Sequence, residues 1–86
     1  MKQIIIYTKD YCPYCKSAKS LLTSKSVEFK EINMQEMSEG ELEVLSKETK
    51  GYSTVPQIFI GSKFIGGFND LKALEDSGKL DEMLKE

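Results

Sequence analysis

Strand and helix signatures alternate along this 86-residue chain and mark it as α/β, with a mixed sheet flanked by helices. Two stretches carry most of that reading. The first is a continuous β-branched run, Ile4-Ile5-Ile6-Tyr7, followed by Ala18, Leu21 and Leu22 at helical spacing. The second is a pair of short apolar strands, Gln57 to Ile60 and Lys63 to Ile65, joined by Gly61-Ser62 as a two-residue hairpin turn. A βαβ start calls for two parallel strands and a right-handed crossover, whereas a hairpin is antiparallel, so the sheet must be mixed.

The opening run lacks polar alternation, which predicts a strand buried on both faces. Pro13 suits the first helical position, where its missing N–H costs nothing. Val27 and Phe29 then alternate with charged residues and predict a half-exposed second strand. Ser38 followed by Glu41 is a capping-box signature for a second helix carrying Leu42 and Leu45, with Gly51 at its end. After the hairpin, Gly66-Gly67 breaks the pattern, and Asn69 or Asp70 can cap a helix bearing Leu71 and Leu74. Gly78 precedes a last short helix with Leu80, Met83 and Leu84. This order fits several α/β folds.

Composition narrows the chemistry. The length predicts a single domain over residues 1–86. A 40% hydrophobic and 30% charged chain is ordinary for a soluble globular protein. Fourteen acids face twelve lysines, giving a net charge of −2, and there is no Arg, His or Trp. Without Arg, and with no basic cluster in its place, a nucleic-acid role is disfavoured. Without His, imidazole bases and most zinc sites are excluded. No apolar run approaches a signal sequence or a membrane span, so a cytoplasmic, membrane-free monomer is expected.

The remaining chemistry centres on Cys12-Pro13-Tyr14-Cys15, at a strand–helix junction. Cys12 falls at the helix N-cap, where free N–H groups and the helix dipole favour an anion. Lys9 and Lys16 add positive charge. Such surroundings lower a thiol pKa from about 8.5 into the range of about 3.5–7.5. Cys15, nearly one turn on and inside the helix, should keep the higher pKa and resolve disulfides formed on Cys12. A zinc site wants four ligands, and the chain offers no His and no third Cys, so no metal ligands are assigned. Two inert structural thiols are the remaining reading, which the Lys, Asp, Tyr and Pro around them disfavour.

Three motifs together resemble the glutaredoxin family over nearly the whole chain. They are Cys12-Pro13-Tyr14-Cys15 after Tyr7-Thr8-Lys9, Thr54-Val55-Pro56 before a strand, and Gly66-Gly67-Phe68-Asn69-Asp70. The resemblance implies a thioredoxin fold, with a four-stranded mixed sheet in the order 2-1-3-4. It also implies a cis peptide before Pro56, whose preceding residue Val55 offers backbone N–H and C=O to the cysteinyl part of glutathione. Gly67, Phe68, Asn69 and Asp70 would receive the γ-glutamyl carboxylate, mainly through backbone N–H groups. Lys9, Tyr14 and Thr54 match positions lining the same groove. Glu43 stands where the family commonly has Gln or Arg facing the glycine carboxylate, and Lys47, four residues later, is a compensating candidate.

By this resemblance the chain is a glutathione-dependent thiol–disulfide oxidoreductase with no tightly bound cofactor, glutathione being its reducing co-substrate. Its other partners would be glutathionylated and disulfide-containing proteins. Two alternatives remain. One is a glutaredoxin-like redoxin recharged by thioredoxin reductase, which usually has a different central dipeptide and an Arg-containing C-terminal segment. The other is an iron–sulfur carrier bridging two subunits through Cys12 and glutathione, an activity usual with a Gly-Phe-Ser continuation after the first cysteine.

Overall fold

The computed structural model describes residues 2–85. In chain order the elements are β1 (Ile4–Thr8), α1 (Pro13–Ser24), β2 (Phe29–Asn33), a 3₁₀ turn (Met34–Glu36), α2 (Glu39–Glu48), β3 (Gln57–Ile60), β4 (Lys63–Gly66), α3 (Phe68–Asp76) and α4 (Lys79–Lys85). One four-stranded sheet runs in the order β2-β1-β3-β4. β1 pairs with β2 in parallel and with β3 antiparallel, and β3–β4 is the antiparallel hairpin. This is the thioredoxin fold that the sequence motifs imply.

The main core lies on one face of the sheet. Ile4 and Ile6 of β1 stand opposite Ile60 and Ile58 of β3. All four are buried together with Ala18 and Leu22 of α1, Leu71 of α3, and Leu80 and Leu84 of α4. A buried side chain of this kind contributes about 1.5–3 kcal/mol relative to exposure. The other face holds an aromatic ladder. Tyr7 meets Phe59 edge-on at 5.7 Å, Phe59 meets Phe64 at 5.2 Å, and Phe64 meets Tyr52 at 5.1 Å.

β1 departs from the expectation of burial on both faces. Ile4, Ile6 and Thr8 are buried, but Ile5 and Tyr7 are only half-buried. The reason is coverage, since α2 brings a single buried residue, Leu45, to its side of the sheet. The start of α3 differs as well. Gly67 is its N-cap and Asp70 occupies the third helical position, with the Gly67 N–H donating to Asp70 Oδ2 at 2.9 Å. Asp70 therefore caps the helix from within, and Asn69 takes no part in the cap. The Ser38–Glu41 capping box is formed as the sequence predicts, with both hydrogen bonds present.

Candidate active site

The end of β1 delivers the chain to Cys12 through Lys9, Asp10 and Tyr11. Two hydrogen bonds clamp that connection to the end of β2 and the turn after it, and a third braces that turn from within. The Asp10 N–H donates to Gln35 Oε1 at 2.7 Å, Asn33 Nδ2 donates to Asp10 Oδ1 at 2.9 Å, and the Gln35 N–H donates to Asn33 Oδ1 at 2.8 Å. Tyr11 follows with a left-handed backbone, φ 58°.

Cys12 is the N-cap of α1, with extended backbone angles, and Pro13 opens the helix. The Cys15 N–H donates to Cys12 Sγ at 3.1 Å. The sulfur thus occupies the place of a capping oxygen, against donors that have no partner inside the helix. Cys12 and Cys15 are joined by a disulfide. The pair is asymmetric, since Cys12 is half-buried while Cys15 is 2% exposed.

Across from the cysteines, the Val55–Pro56 peptide is cis, and the Val55 carbonyl oxygen lies 3.8 Å from Cys12 Sγ. Gln57 holds the preceding loop from below. Its side chain is buried, and Nε2 donates to the carbonyls of Tyr52 at 3.0 Å and Thr54 at 3.2 Å. Both glycines before α3 have a steric reason. Gly66 has φ 116°, and a Cβ there would strike the Asp70 carboxylate. A Cβ on Gly67 would come within 2.7 Å of the Tyr52 hydroxyl. The first N–H groups of α3, on Phe68, Asn69 and Asp70, lack intrahelical partners by helix geometry.

These parts enclose an open groove of about 540 Å³. It brings together Tyr14, Thr54, Val55, Pro56, Gly67, Phe68, Asn69 and Asp70, all singled out from sequence. The Tyr14 and Phe68 rings lie 6.2 Å apart at one side of the groove. Lys9 is exposed just beyond β1 and outside the groove lining, and the α2 residues Glu43 and Lys47 are likewise exposed and outside it. Two lining residues were missed from sequence, Tyr52 and Ser53. An aromatic residue two places before the Thr-Val-Pro run was the available signal.

A Cys-x-x-Cys disulfide whose first cysteine caps a helix beside a cis-proline edge, on a β2-β1-β3-β4 sheet, defines a thioredoxin-fold redox protein of the thiol–disulfide exchange class. The glutaredoxin family model matches residues 4–65. Glutaredoxin 3 of Escherichia coli K12 is 46% identical over 85 residues, covering 99% of this chain and 100% of that protein. The solution structure of glutaredoxin from Brucella melitensis superposes with a TM-score of 0.82 at 52% identity, covering 99% of this chain and 90% of that one. A buckwheat glutaredoxin–glutathione complex gives 0.84 at 31% identity, covering 98% and 77%. The chain belongs to the glutaredoxin family of thiol–disulfide oxidoreductases.

Among the described residues, no group of three or more His, Cys, Asp or Glu side chains could hold a metal ion. No helix of the described residues is long and apolar enough to cross a membrane.

Proposed function

We propose that this protein reduces protein–glutathione mixed disulfides, and protein disulfides, with glutathione as the electron donor. The observation that carries this reading is Cys12 Sγ at the α1 N-terminus, 3.8 Å from the carbonyl of Val55, a residue that lines the groove leading to the α3 N-terminus. The groove joins the backbone edge before the cis-proline, an aromatic wall and free helix N–H groups. That sequence of features matches a cysteinyl backbone followed by an anionic γ-glutamyl end. The buckwheat glutaredoxin–glutathione complex supports the same ligand.

In the reduced protein the Cys15 N–H and the α1 dipole favour the thiolate form of Cys12. The thiolate attacks the glutathione sulfur of a mixed disulfide. The bond from Cys12 to glutathione forms, and the protein leaves as its thiolate. A second glutathione thiolate attacks the Cys12-bound glutathione sulfur, forming glutathione disulfide and freeing Cys12. For a protein disulfide, Cys12 takes one protein sulfur into a mixed disulfide. The buried Cys15 then displaces it, leaving the Cys12–Cys15 bond for glutathione to reduce. Val55 orients the cysteinyl backbone, with Thr54 and Pro56 shaping the same edge. Gly67, Phe68, Asn69 and Asp70 receive the carboxylate, and Tyr14 and Lys9 flank the groove. The reading extends to a single functional domain over residues 1–86, acting as a monomer in the cytoplasm.

The test is coupled turnover of a small glutathione mixed disulfide with glutathione and its reductase, run beside thioredoxin reductase. Turnover is expected with the first couple. Cys12→Ser abolishes all activity, while Cys15→Ser keeps deglutathionylation and loses most protein-disulfide reduction. An inert Cys15→Ser would rule out the one-thiol route, and turnover with thioredoxin reductase alone would replace glutathione as donor.

A further inference from the structure

Tyr11 differs from every other aromatic residue of the chain. The residue is 101% exposed, it makes no ring contact among the described residues, and it lies outside the groove lining. Its backbone sits in the left-handed region, φ 58°, where a bulky side chain is an outlier. Glycine or asparagine would adopt this conformation with less strain. The conformation is fixed from both sides, by the Asn33 and Gln35 clamp on Asp10 and by the α1 N-cap at Cys12. Neither core packing nor the turn calls for an aromatic ring here. A strained residue next to a reactive group points to a role outside the fold itself.

Thiol–disulfide exchange brings a partner to this position. When a substrate sulfur is bonded to Cys12, the two cysteine Cα atoms are held about 4.4–6.8 Å apart. The residues beside the substrate cysteine are thereby brought within reach of Tyr11, the chain neighbour of Cys12. We infer that Tyr11 is a specificity residue that packs on the polypeptide of a protein disulfide substrate and selects segments with an apolar residue beside the reacting cysteine. A small thiol has no chain to lay on the ring. The inference rests on Cys12 being the nucleophile, as proposed above, but not on glutathione.

The test uses two mixed disulfides of thionitrobenzoate with the fully reduced protein. One is built on a short peptide whose single cysteine is flanked by leucines, the other on free cysteine. The Cys12 thiolate attacks the peptide or cysteine sulfur, and a Cys12–substrate disulfide forms. The bond to thionitrobenzoate breaks, and the leaving thiolate is read by its colour. Cys15 then displaces the substrate thiolate, leaving Cys12 and Cys15 oxidised. Because glutathione takes no part, failure of glutathione dependence leaves this measurement standing. Tyr11→Asn, which tolerates the left-handed backbone, should slow attack on the peptide conjugate about five- to tenfold and on the cysteine conjugate less than about twofold. Tyr11→Phe should match the parent on both. Tyr11→Gly, free of the backbone strain, should reproduce the discrimination of the Asn variant, so that a folding defect cannot pass for a lost contact. Equal slowing of both conjugates, or a parent-like rate on the peptide, would overturn the assignment.

Discussion

Thr8 turns a buried hydroxyl toward Glu31, donating to Oε2 at 2.9 Å, and Lys19 Nζ donates to the same carboxylate at 3.1 Å. These contacts, the Thr8 hydroxyl first and then Lys19, hold the Glu31 carboxyl below its ordinary pKa against the opposing effect of burial. A lowered folded pKa means that the unfolded chain binds the proton more readily. The stabilisation is then complete above the unfolded pKa, about 4.3, and is lost as the pH falls through the folded value. Glu31→Gln is expected to be less stable than the parent at pH 7, with the gap closing as the pH falls below about 4.3. Urea unfolding at a series of pH values measures it, and a gap that persists at low pH would assign the effect to packing. No sequence signal predicted this contact, because Thr8 and Glu31 meet only through the parallel register that pairs Thr8 with Asn33 and Ile6 with Glu31. The Cys12–Cys15 pair was legible, since its chemistry depends on local spacing at one helix end. The N-cap role of Gly67 was not, because a glycine cap has no side chain to announce it, and Asp70 performs its capping from the third helical position.

At the scale of the element, α1 and α2 end by the same device. In α1 the Val27 N–H donates to the Leu22 carbonyl and the Ser26 N–H to that of Thr23, both at 3.0 Å. In α2 the Gly51 N–H donates to the Ser46 carbonyl at 2.8 Å and the Lys50 N–H to that of Lys47 at 3.3 Å. This is the Schellman pattern, which asks for a left-handed residue just past the cap. That residue is Ser26 in α1, φ 59°, and Lys50 in α2, φ 58°, whereas after α3 it is Gly78, φ 79°. Sequence reading located the end of α2 through Gly51 and missed the step at Lys50 before it, because lysine carries no signal for a left-handed backbone. Ser26→Gly and Lys50→Gly should each stabilise the fold by about 0.5–1 kcal/mol, less what glycine adds to the entropy of the unfolded chain. Gly78→Ala should destabilise it by about 1 kcal/mol. Shifts in the urea midpoint of the three variants check this, and a Lys50→Gly variant below the parent would mean that the lysine side chain has a role of its own.

Across the whole molecule, the last helix is as much a part of the core as the first strand. The family model ends at residue 65, yet Leu80 and Leu84 of α4 are buried in the same cluster as Ile4 and Ile6. Lys25, at the end of α1, adds ion pairs to Glu75 Oε1 at 2.8 Å and Asp81 Oδ1 at 2.9 Å. Those bonds, to Glu75 first and then Asp81, hold the Lys25 ammonium above its ordinary pKa. Leu80→Ala should cost about 2–5 kcal/mol in unfolding free energy, close to the cost of truncating a central core leucine. A loss below about 1 kcal/mol would mean that α4 can detach while the rest stays folded. The order of strands and helices was legible because each element carries its own periodicity. The incomplete cover on the second face of β1 was not, because the reach of α2 over Ile5 and Tyr7 is a property of the assembled layers.

The backbone bond from the Lys2 N–H to the Leu84 carbonyl, 3.3 Å long, draws the beginning and the end of the described chain to one place. Lys2 precedes β1 and Cys12 follows it, so the five residues of that strand separate this meeting point from the dithiol by about 17 Å. Cargo, a surface tether or a second copy joined there would all hang from the pole opposite the cysteines, leaving the sulfur-bearing end turned toward whatever approaches from solution. A chain made circular by a short peptide across that gap would keep its sheet and could be reopened at the exposed Ser62 of the hairpin without cutting through any strand or helix.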